Sequence, residues 1–291
     1  MSLNIGSDGT GYHSHTITTP LLKRTFPNTI ITFDKSKKYD LVIKSHFVHE
    51  EHIEYDCPYI TWSGESYIVK HNADNPPLIE INTTTNSTYK NIYFPYILTW
   101  CNYTYRPEQT TQKKWCCAYA FSNPVPYREY FFKKVRSLEP TCYSYGRCSP
   151  TADSPPVFSN WNNSSMYTKD AMTDFAFIVA MENSTAPGYV TEKIGNAFKA
   201  GSVPIYKGHD DTINTFFNPE SFINVNNFAS LDAAAEHVVN VWADPHKYEK
   251  YRSAPIYLNN SLENYRLGFT ESRPWEKLFV DTLRDAYPDL S

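Results

Sequence analysis

The sequence lacks any run of about 20 apolar residues, which is the length that an α-helix needs to cross a bilayer. Its first residues, MSLNIGSDGTG, also lack the basic and apolar stretches of a secretory signal peptide. We therefore expect a soluble chain without a transmembrane segment. The formal net charge is only -4, so no strong basic field is present to attract nucleic acid or an anionic membrane surface, and we predict neither as a partner.

Motifs for bound metals and nicotinamide cofactors are scarce as well. The six cysteines include no C-x-x-C pair, and no Asp-x-Asp sequence is present that could hold a metal–diphosphate complex. The three-residue spacing of His46, His49 and His52 is typical of a polar helix face. Gly6 opens a G-x-x-G-x-G sequence, the reverse of the dinucleotide fingerprint, which predicts a flexible loop after the first strand. We expect no metal and no cofactor.

Aromatic residues and short β-like runs are abundant. Aromatic side chains make up 16% of the chain, and their rings suit the apolar faces of sugars; an ordinary aromatic core is the alternative.

The β-like runs alternate with helical or loop stretches, which is the pattern of an α/β layer. They lie at residues 29–33, 40–45, 59–64 and 77–82.

The chain length of 291 residues allows two domains, each with its own core. A polar stretch at 103–114 is typical of a linker, and the apolar run at 115–122 after it predicts a parallel strand buried on both faces. Residues 149–165 predict a mobile loop. We place one Rossmann-like domain at 1–108, a second at 109–268, and a C-terminal helical segment at 269–291 that packs back on the first.

The most regular unit lies near the middle of the second domain. DFAFIVAMENS predicts a strand with its exit loop, TEKIGNAFKAG a helix that ends at Gly201, and SVPIYKG another strand. Ligands of open α/β sheets bind at the carboxyl ends of such strands, so residues 182–193 should line a cleft. A helix with Thr191 as N-cap presents free N–H groups to a diphosphate, with Glu192 and Lys193 in its first turn. The alternative is a surface helix with a solvated Glu192–Lys193 pair.

The segments FAFIVAMENS, GYVTEKI and NAFKAGSVPIY, in this order, closely resemble the donor-binding signature of the α-1,3/1,4-fucosyltransferases, glycosyltransferase family ten. Four other segments resemble the same family in the same order: ITWSGES, IYFPYIL, WCCAYAFSNPVPYREYFF and SFINVNNFASL. The resemblance covers most of residues 25–260 and is stronger after residue 115. It implies an α/β fold of the GT-B class, in which two Rossmann-like domains face each other across a cleft. The second domain then holds GDP-fucose, and the first holds the acceptor.

The resemblance also implies catalytic roles for three residues. Glu65, in Ser-Gly-Glu, matches the carboxylate proposed as general base, and an ordinary turn glutamate is the alternative. Arg128 and Lys193 match the basic residues that contact the donor diphosphate. For Arg128 the alternative is an arginine on a helix surface.

The same family positions define the donor pocket. Asn183, Tyr189 and Glu192 match residues that line the GDP-sugar pocket of the family. We assign the neighbouring Glu182 and Thr191 to the same pocket.

We therefore expect an inverting, metal-independent fucosyltransferase that moves L-fucose from GDP-fucose to an acceptor oligosaccharide or glycoconjugate, at O3 of a GlcNAc or glucose unit. The chain departs from the family at TTTNSTYKN (83–91) and at Met181, where Phe is common. These departures leave open a transferase for another GDP-linked sugar, or an inactive glycan-binding protein on the same scaffold. We expect a cytoplasmic location; the alternative is a catalytic domain from a Golgi membrane enzyme.

Overall fold

A computed structural model describes most of the chain: residues 1–8, 12–45, 56–66, 71, 73–85, 89–94, 106–108, 112–153, 172–258 and 274–290. The chain forms two compact units. Unit 1 comprises Met1–Thr99, Ala186–Tyr189 and Glu263–Ser291, and unit 2 comprises Trp100–Thr185 and Val190–Leu262. The predicted α/β class with two Rossmann-like units is confirmed, since each unit is built on a parallel sheet.

Unit 1 contains a six-stranded parallel sheet with the strand order β2-β1-β3-β4-β5-β6. The strands are β1 Ser2–Asp8, β2 Ile30–Thr32, β3 Leu41–Ser45, β4 Tyr59–Ser63, β5 Ile79–Asn82 and β6 Asn91–Tyr93. Strands β4 and β5 are buried at every position, including the polar Thr61, Glu80 and Asn82.

Helix α1, Tyr12–Thr25, follows β1 and was not predicted from the sequence. Its β-branched residues and Pro20 weaken the helical signal, yet Leu21 and Leu22 at its C-terminal end are fully buried in the core of unit 1. Residues 9–11 of the predicted loop lie outside the described residues, whereas Gly6 lies inside β1 and not in a loop. A Cβ atom there would stand 2.7 Å from the ring of Tyr39, so the close approach of this ring requires glycine.

Unit 2 contains a five-stranded parallel sheet with the order β11-β10-β9-β7-β8. Its elements are β7 Trp115–Phe121, α2 Pro126–Leu138, β8 Cys142–Gly146, β9 Phe175–Val179, α3 Glu192–Lys199, β10 Val203–Tyr206, α4 Asp210–Phe216, β11 Ile223–Asn224, α5 Leu231–Trp242 and α6 Pro245–Ser253. From β7 the chain goes to β8 on one side and then returns to β9 on the other. The carboxyl ends of β7 and β9 therefore form a topological switch point.

Strand β9 and its exit loop lie where the sequence predicts them. Strand β9 ends at Val179, so the residues Met181 to Ser184 lie beyond it in the exit loop. Helices α5 and α6 are separate because Pro245 starts a new helix and Asp244 caps it. The Asp244 carboxylate accepts hydrogen bonds from the backbone N–H groups of His246 (3.0 Å) and Lys247 (3.3 Å).

The C-terminal helix α7, Pro274–Ala286, belongs to unit 1. Its Phe279 and Leu283 are fully buried in the unit 1 core. The Arg24 guanidinium lies 2.9 Å from the Glu276 carboxylate, which further ties α7 to α1. No helix in the described part of the chain has both the length and the apolar character needed to span a bilayer.

Several sequence predictions fall outside the described residues. These are the His46, His49 and His52 face, residues 154–165 of the expected mobile loop, and the residues around the proposed boundaries at 109 and 269. The five cysteines that the structure describes are all free thiols.

Candidate active site

The candidate site lies at the switch point of unit 2, where β7 and β9 end. Arg128, in the first turn of α2, comes soon after β7, and Glu182 follows β9. Helix α3 starts at the same edge with Thr191 as its N-cap and Lys193 in its first turn. These four residues, Arg128, Glu182, Thr191 and Lys193, form a cluster that we name the cationic corner.

Glu182 is the centre of the cationic corner. Its carboxylate is 0% exposed and accepts hydrogen bonds from the Thr191 backbone N–H (2.8 Å), the Thr191 hydroxyl (2.8 and 3.0 Å to its two oxygens) and the Lys193 ammonium (3.1 Å). Burial raises the pKa of Glu182, while the Lys193 charge and the Thr191 N–H oppose the rise. A charge so deeply buried requires these partners.

The Lys193 ammonium is held by two hydrogen-bond acceptors, Glu182 and Thr191. Its ammonium donates to the Thr191 hydroxyl at 2.9 Å as well as to Glu182, and its side chain is only 11% exposed. The alternative of a solvated Glu192–Lys193 pair is therefore wrong. Thr191 stands at the N-cap position but makes no side-chain capping bond, because its hydroxyl points to Glu182 instead.

Arg128 is 0% exposed, which excludes the alternative of a surface arginine. Its guanidinium donates to the carbonyls of Met181 (3.2 Å) and Asn123 (2.9 Å), and it lies 3.9 Å from the centre of the Phe121 ring. Its buried Nε has no hydrogen-bond partner among the described residues. Because Met181 directly precedes Glu182, this bond ties the guanidinium to the loop that carries Glu182.

Two further residues adjoin the cationic corner and were missed by the sequence analysis. The Tyr127 hydroxyl donates to the Glu182 carbonyl. Lys207, which follows β10, donates to the Asn226 side chain, and its ammonium lies 5.8 Å from the centre of the Tyr127 ring. The position of Lys207 directly after a strand of the parallel sheet was the one signal in the sequence that pointed to it.

The remaining predicted pocket residues lie at the edges of this arrangement. Glu192 is half-buried in the first turn of α3, and Asn183 is exposed in the loop after β9. The positions of Glu192 and Asn183 do not fix their roles, so both assignments stay predictions.

Tyr189 and Glu65 belong to unit 1. Tyr189 is 2% exposed and follows Gly188, whose φ of +88° favours glycine. The Gly188 carbonyl accepts a hydrogen bond from the Tyr93 hydroxyl at 2.9 Å, which anchors this loop within unit 1. Glu65 is half-buried after β4, and its backbone N–H donates to the Ser63 hydroxyl at 3.3 Å, the bond expected of a serine turn.

The described residues include no group of three or more His, Cys, Asp or Glu side chains arranged to hold a metal ion. The positive charges at the switch point come from Arg128, Lys193 and Lys207, together with the partial charge of the α3 N-terminus. The arrangement suits an anionic group that needs charge neutralisation.

Comparisons with known proteins agree with this geometry. The family model "Glycosyltransferase family 10 (fucosyltransferase) C-term" matches residues 108–254, which contain the whole cationic corner. The chain belongs to glycosyltransferase family 10.

Among curated relatives, an alpha-(1,4)-fucosyltransferase of Arabidopsis thaliana is 30% identical over 143 residues, covering 45% of this chain and 35% of the relative. The alpha-(1,3)-fucosyltransferase FucT of Helicobacter pylori is 28% identical over 132 residues, covering 45% of this chain and 25% of the relative. The chain thus matches about a third or less of the length of these relatives.

The fold is also similar to a solved structure. A crystal structure of an alpha1,3-fucosyltransferase with GDP-fucose aligns with a TM-score of 0.62 and 18% sequence identity, covering 92% of this chain and 88% of that one. At this identity the likeness concerns the fold, and it extends over both units.

Proposed function

We propose that the protein is an inverting fucosyltransferase that transfers L-fucose from GDP-fucose to a hydroxyl of an acceptor glycan without a metal ion. The observation that carries the proposal is the cationic corner: two buried basic side chains beside a helix N-terminus at the switch point of unit 2. Helix N-termini and fixed cations are the groups that stabilise a diphosphate. The match to the fucosyltransferase family over this same segment supports the donor class.

In the proposed reaction, the acceptor oxygen attacks C1 of fucose while the bond between C1 and the β-phosphate oxygen breaks. The electron pair of that bond leaves with GDP, and Glu65 takes the acceptor proton as general base. Attack from the side opposite GDP converts the β-linked donor into an α-linked product. Arg128 and Lys193 stabilise the negative charge that grows on the leaving diphosphate.

The metal-free mechanism rests on the side chains that are present. Many transferases neutralise the departing diphosphate with a divalent ion held by acidic residues. Here Lys193 lies in the first turn of α3 and Arg128 in the first turn of α2, and the Glu182 carboxylate is already engaged by protein donors. The proposed partners are a GDP-sugar donor and an oligosaccharide or glycoconjugate acceptor, with O3 of GlcNAc or glucose as the preferred hydroxyl.

A donor panel tests the proposal. The purified chain is incubated with an acceptor array and with GDP-fucose, GDP-mannose, UDP-galactose or UDP-GlcNAc, and nucleotide release is measured with and without EDTA. We expect acceptor-dependent GDP release from GDP-fucose alone, unaffected by EDTA, and an α-linkage in the product by NMR. Turnover of GDP-mannose instead would identify a different GDP-sugar transferase. Binding of glycans without any nucleotide release would identify an inactive lectin-like protein, and metal-restorable loss in EDTA would contradict the metal-free step.

A further inference from the structure

Within the part of the chain that the structure describes, every donor to the Glu182 carboxylate lies at the start of helix α3. The donors are the Thr191 N–H, the Thr191 hydroxyl and the Lys193 ammonium. The side chain is 0% exposed, so both oxygens face protein. This contact set differs from that of a pocket residue that binds ribose or phosphate.

We propose that Glu182 is a positioning residue, which fixes the Lys193 ammonium at the N-terminus of α3 and does not itself bind the nucleotide. The proposal rests on the proposed function, because it assumes that Lys193 meets the donor diphosphate. It replaces the assignment of Glu182 to the GDP-sugar pocket.

The physical reason lies in the flexibility of lysine. An ammonium on a four-carbon stem has many rotamers, and a cation that must be ordered anew for each diphosphate binds and stabilises it less well than one already in place. Glu182 and the Thr191 hydroxyl hold the Lys193 ammonium at 3.1 and 2.9 Å.

The chain also couples this position to the helix itself. The same Glu182 carboxylate that binds Lys193 accepts the Thr191 backbone N–H at 2.8 Å, at the residue that precedes the first turn of α3. The Glu182 side chain therefore fixes the Lys193 ammonium relative to the backbone N–H of Thr191 at the helix start. Loss of a partner that orients a metal ligand typically lowers metal affinity or activity by about 10- to 100-fold, and we expect a loss at the lower end of that range here.

A double-mutant cycle tests the inference. The full chain is prepared as wild type, Glu182→Gln, Lys193→Met and the double variant, and GDP affinity is measured by calorimetry together with kcat for GDP-fucose. We expect Glu182→Gln to weaken GDP binding about tenfold and to lower kcat when Lys193 is present, and to change GDP affinity less than twofold when Lys193 is methionine. Equal losses in both backgrounds would overturn the inference, because Glu182 would then act on the nucleotide or on the fold independently of Lys193.

Two controls make the cycle decisive. Glu236→Gln removes an exposed carboxylate from helix α5 in the same unit and should leave both measurements unchanged. If Glu182→Gln fails to fold, Thr191→Val removes the hydroxyl contacts while keeping the Glu182–Lys193 pair. Its smaller loss of GDP affinity should likewise vanish in the Lys193→Met background, and a loss that persists there contradicts the inference.

The outcomes separate this inference from the proposed function. A wild-type chain that binds GDP but transfers no fucose contradicts the transfer reaction, while the GDP affinity cycle still decides the role of Glu182. A wild-type chain that binds no GDP overturns both.

Discussion

Replacing Arg128 with methionine removes a charge that the protein buries without an acidic partner. Among the described residues, no carboxylate lies within the ion-pair distance of 4.0 Å from its guanidinium. Two carbonyls and the Phe121 ring surround the group instead. The variant loses these contacts but also avoids the cost of burying a cation. Because the two effects are of similar size, we expect the free energy of unfolding without ligand to change by less than about 2 kcal/mol.

The effect on nucleotide binding should be larger. A hydrogen bond from a charged donor contributes about 1.5 to 3 kcal/mol, which corresponds to a 10- to 150-fold loss of GDP affinity. At a GDP concentration of about 100 times the wild-type Kd, ligand binding stabilises the wild type by about 2.7 kcal/mol. For a variant with 100-fold weaker binding, the same concentration adds only about 0.4 kcal/mol.

Thermal unfolding with and without GDP, together with calorimetry, measures both quantities. The matched control is Arg136→Met on the same helix, which removes an arginine whose side chain is 28% exposed and pairs with Asp153, and it should leave the GDP-induced shift intact. Since the Arg128 guanidinium is 0% exposed, contact with a phosphate requires a neighbouring side chain to move aside. A GDP Kd for Arg128→Met within twofold of the wild-type value would refute the assignment of Arg128 to the diphosphate.

Three further variants give distinct results. Glu65→Gln should lower kcat by about 10²- to 10⁴-fold while leaving GDP affinity unchanged, and normal transfer would mean that another group is the base. Gly188→Ala places a Cβ 2.8 Å from the Tyr93 ring at a φ of +88°, so chemical denaturation should show a loss of more than about 1 kcal/mol; unchanged stability would contradict the strain. Lys207→Met should weaken GDP binding about 3- to 10-fold and reduce its salt dependence, whereas Lys250→Met on α6 should not; equal effects would show that only net charge matters.

The strands and helices of unit 2 could be predicted from the sequence because the local sequence patterns agree with the structure there. WCCAYAF and FAFIV are buried on both faces and therefore read as continuous apolar runs, and Thr191 and Gly201 bracket α3. Helix α1 was missed because its local preferences oppose its structure, and packing of Leu21 and Leu22 overrides them.

The residues of the site could be predicted from the sequence, but the hydrogen bonds between them could not. Arg128 and Lys193 could be named from the motif. The Glu182 carboxylate binds Lys193, which lies 11 residues later in the sequence. This contact depends on how the loop after β9 folds back, and no local sequence pattern encodes that fold. The position of Tyr127 against the Glu182 carbonyl depends in the same way on how α2 packs over the sheet.

In the proposed mechanism, the cationic corner both binds the donor and accelerates its reaction, because the charge it faces changes during the reaction. Breaking the bond between fucose and the β-phosphate adds one negative charge to the diphosphate, so each fixed cation interacts more strongly with departing GDP than with intact donor. That difference lowers the barrier only if the cations are in place before the bond breaks, since reordering them would consume the gain. Lys193 satisfies this condition through Glu182 and Thr191, and Arg128 satisfies it through two carbonyls and the Phe121 ring. Rigid placement of the two cations by the protein itself is therefore what replaces a metal ion in the proposed mechanism.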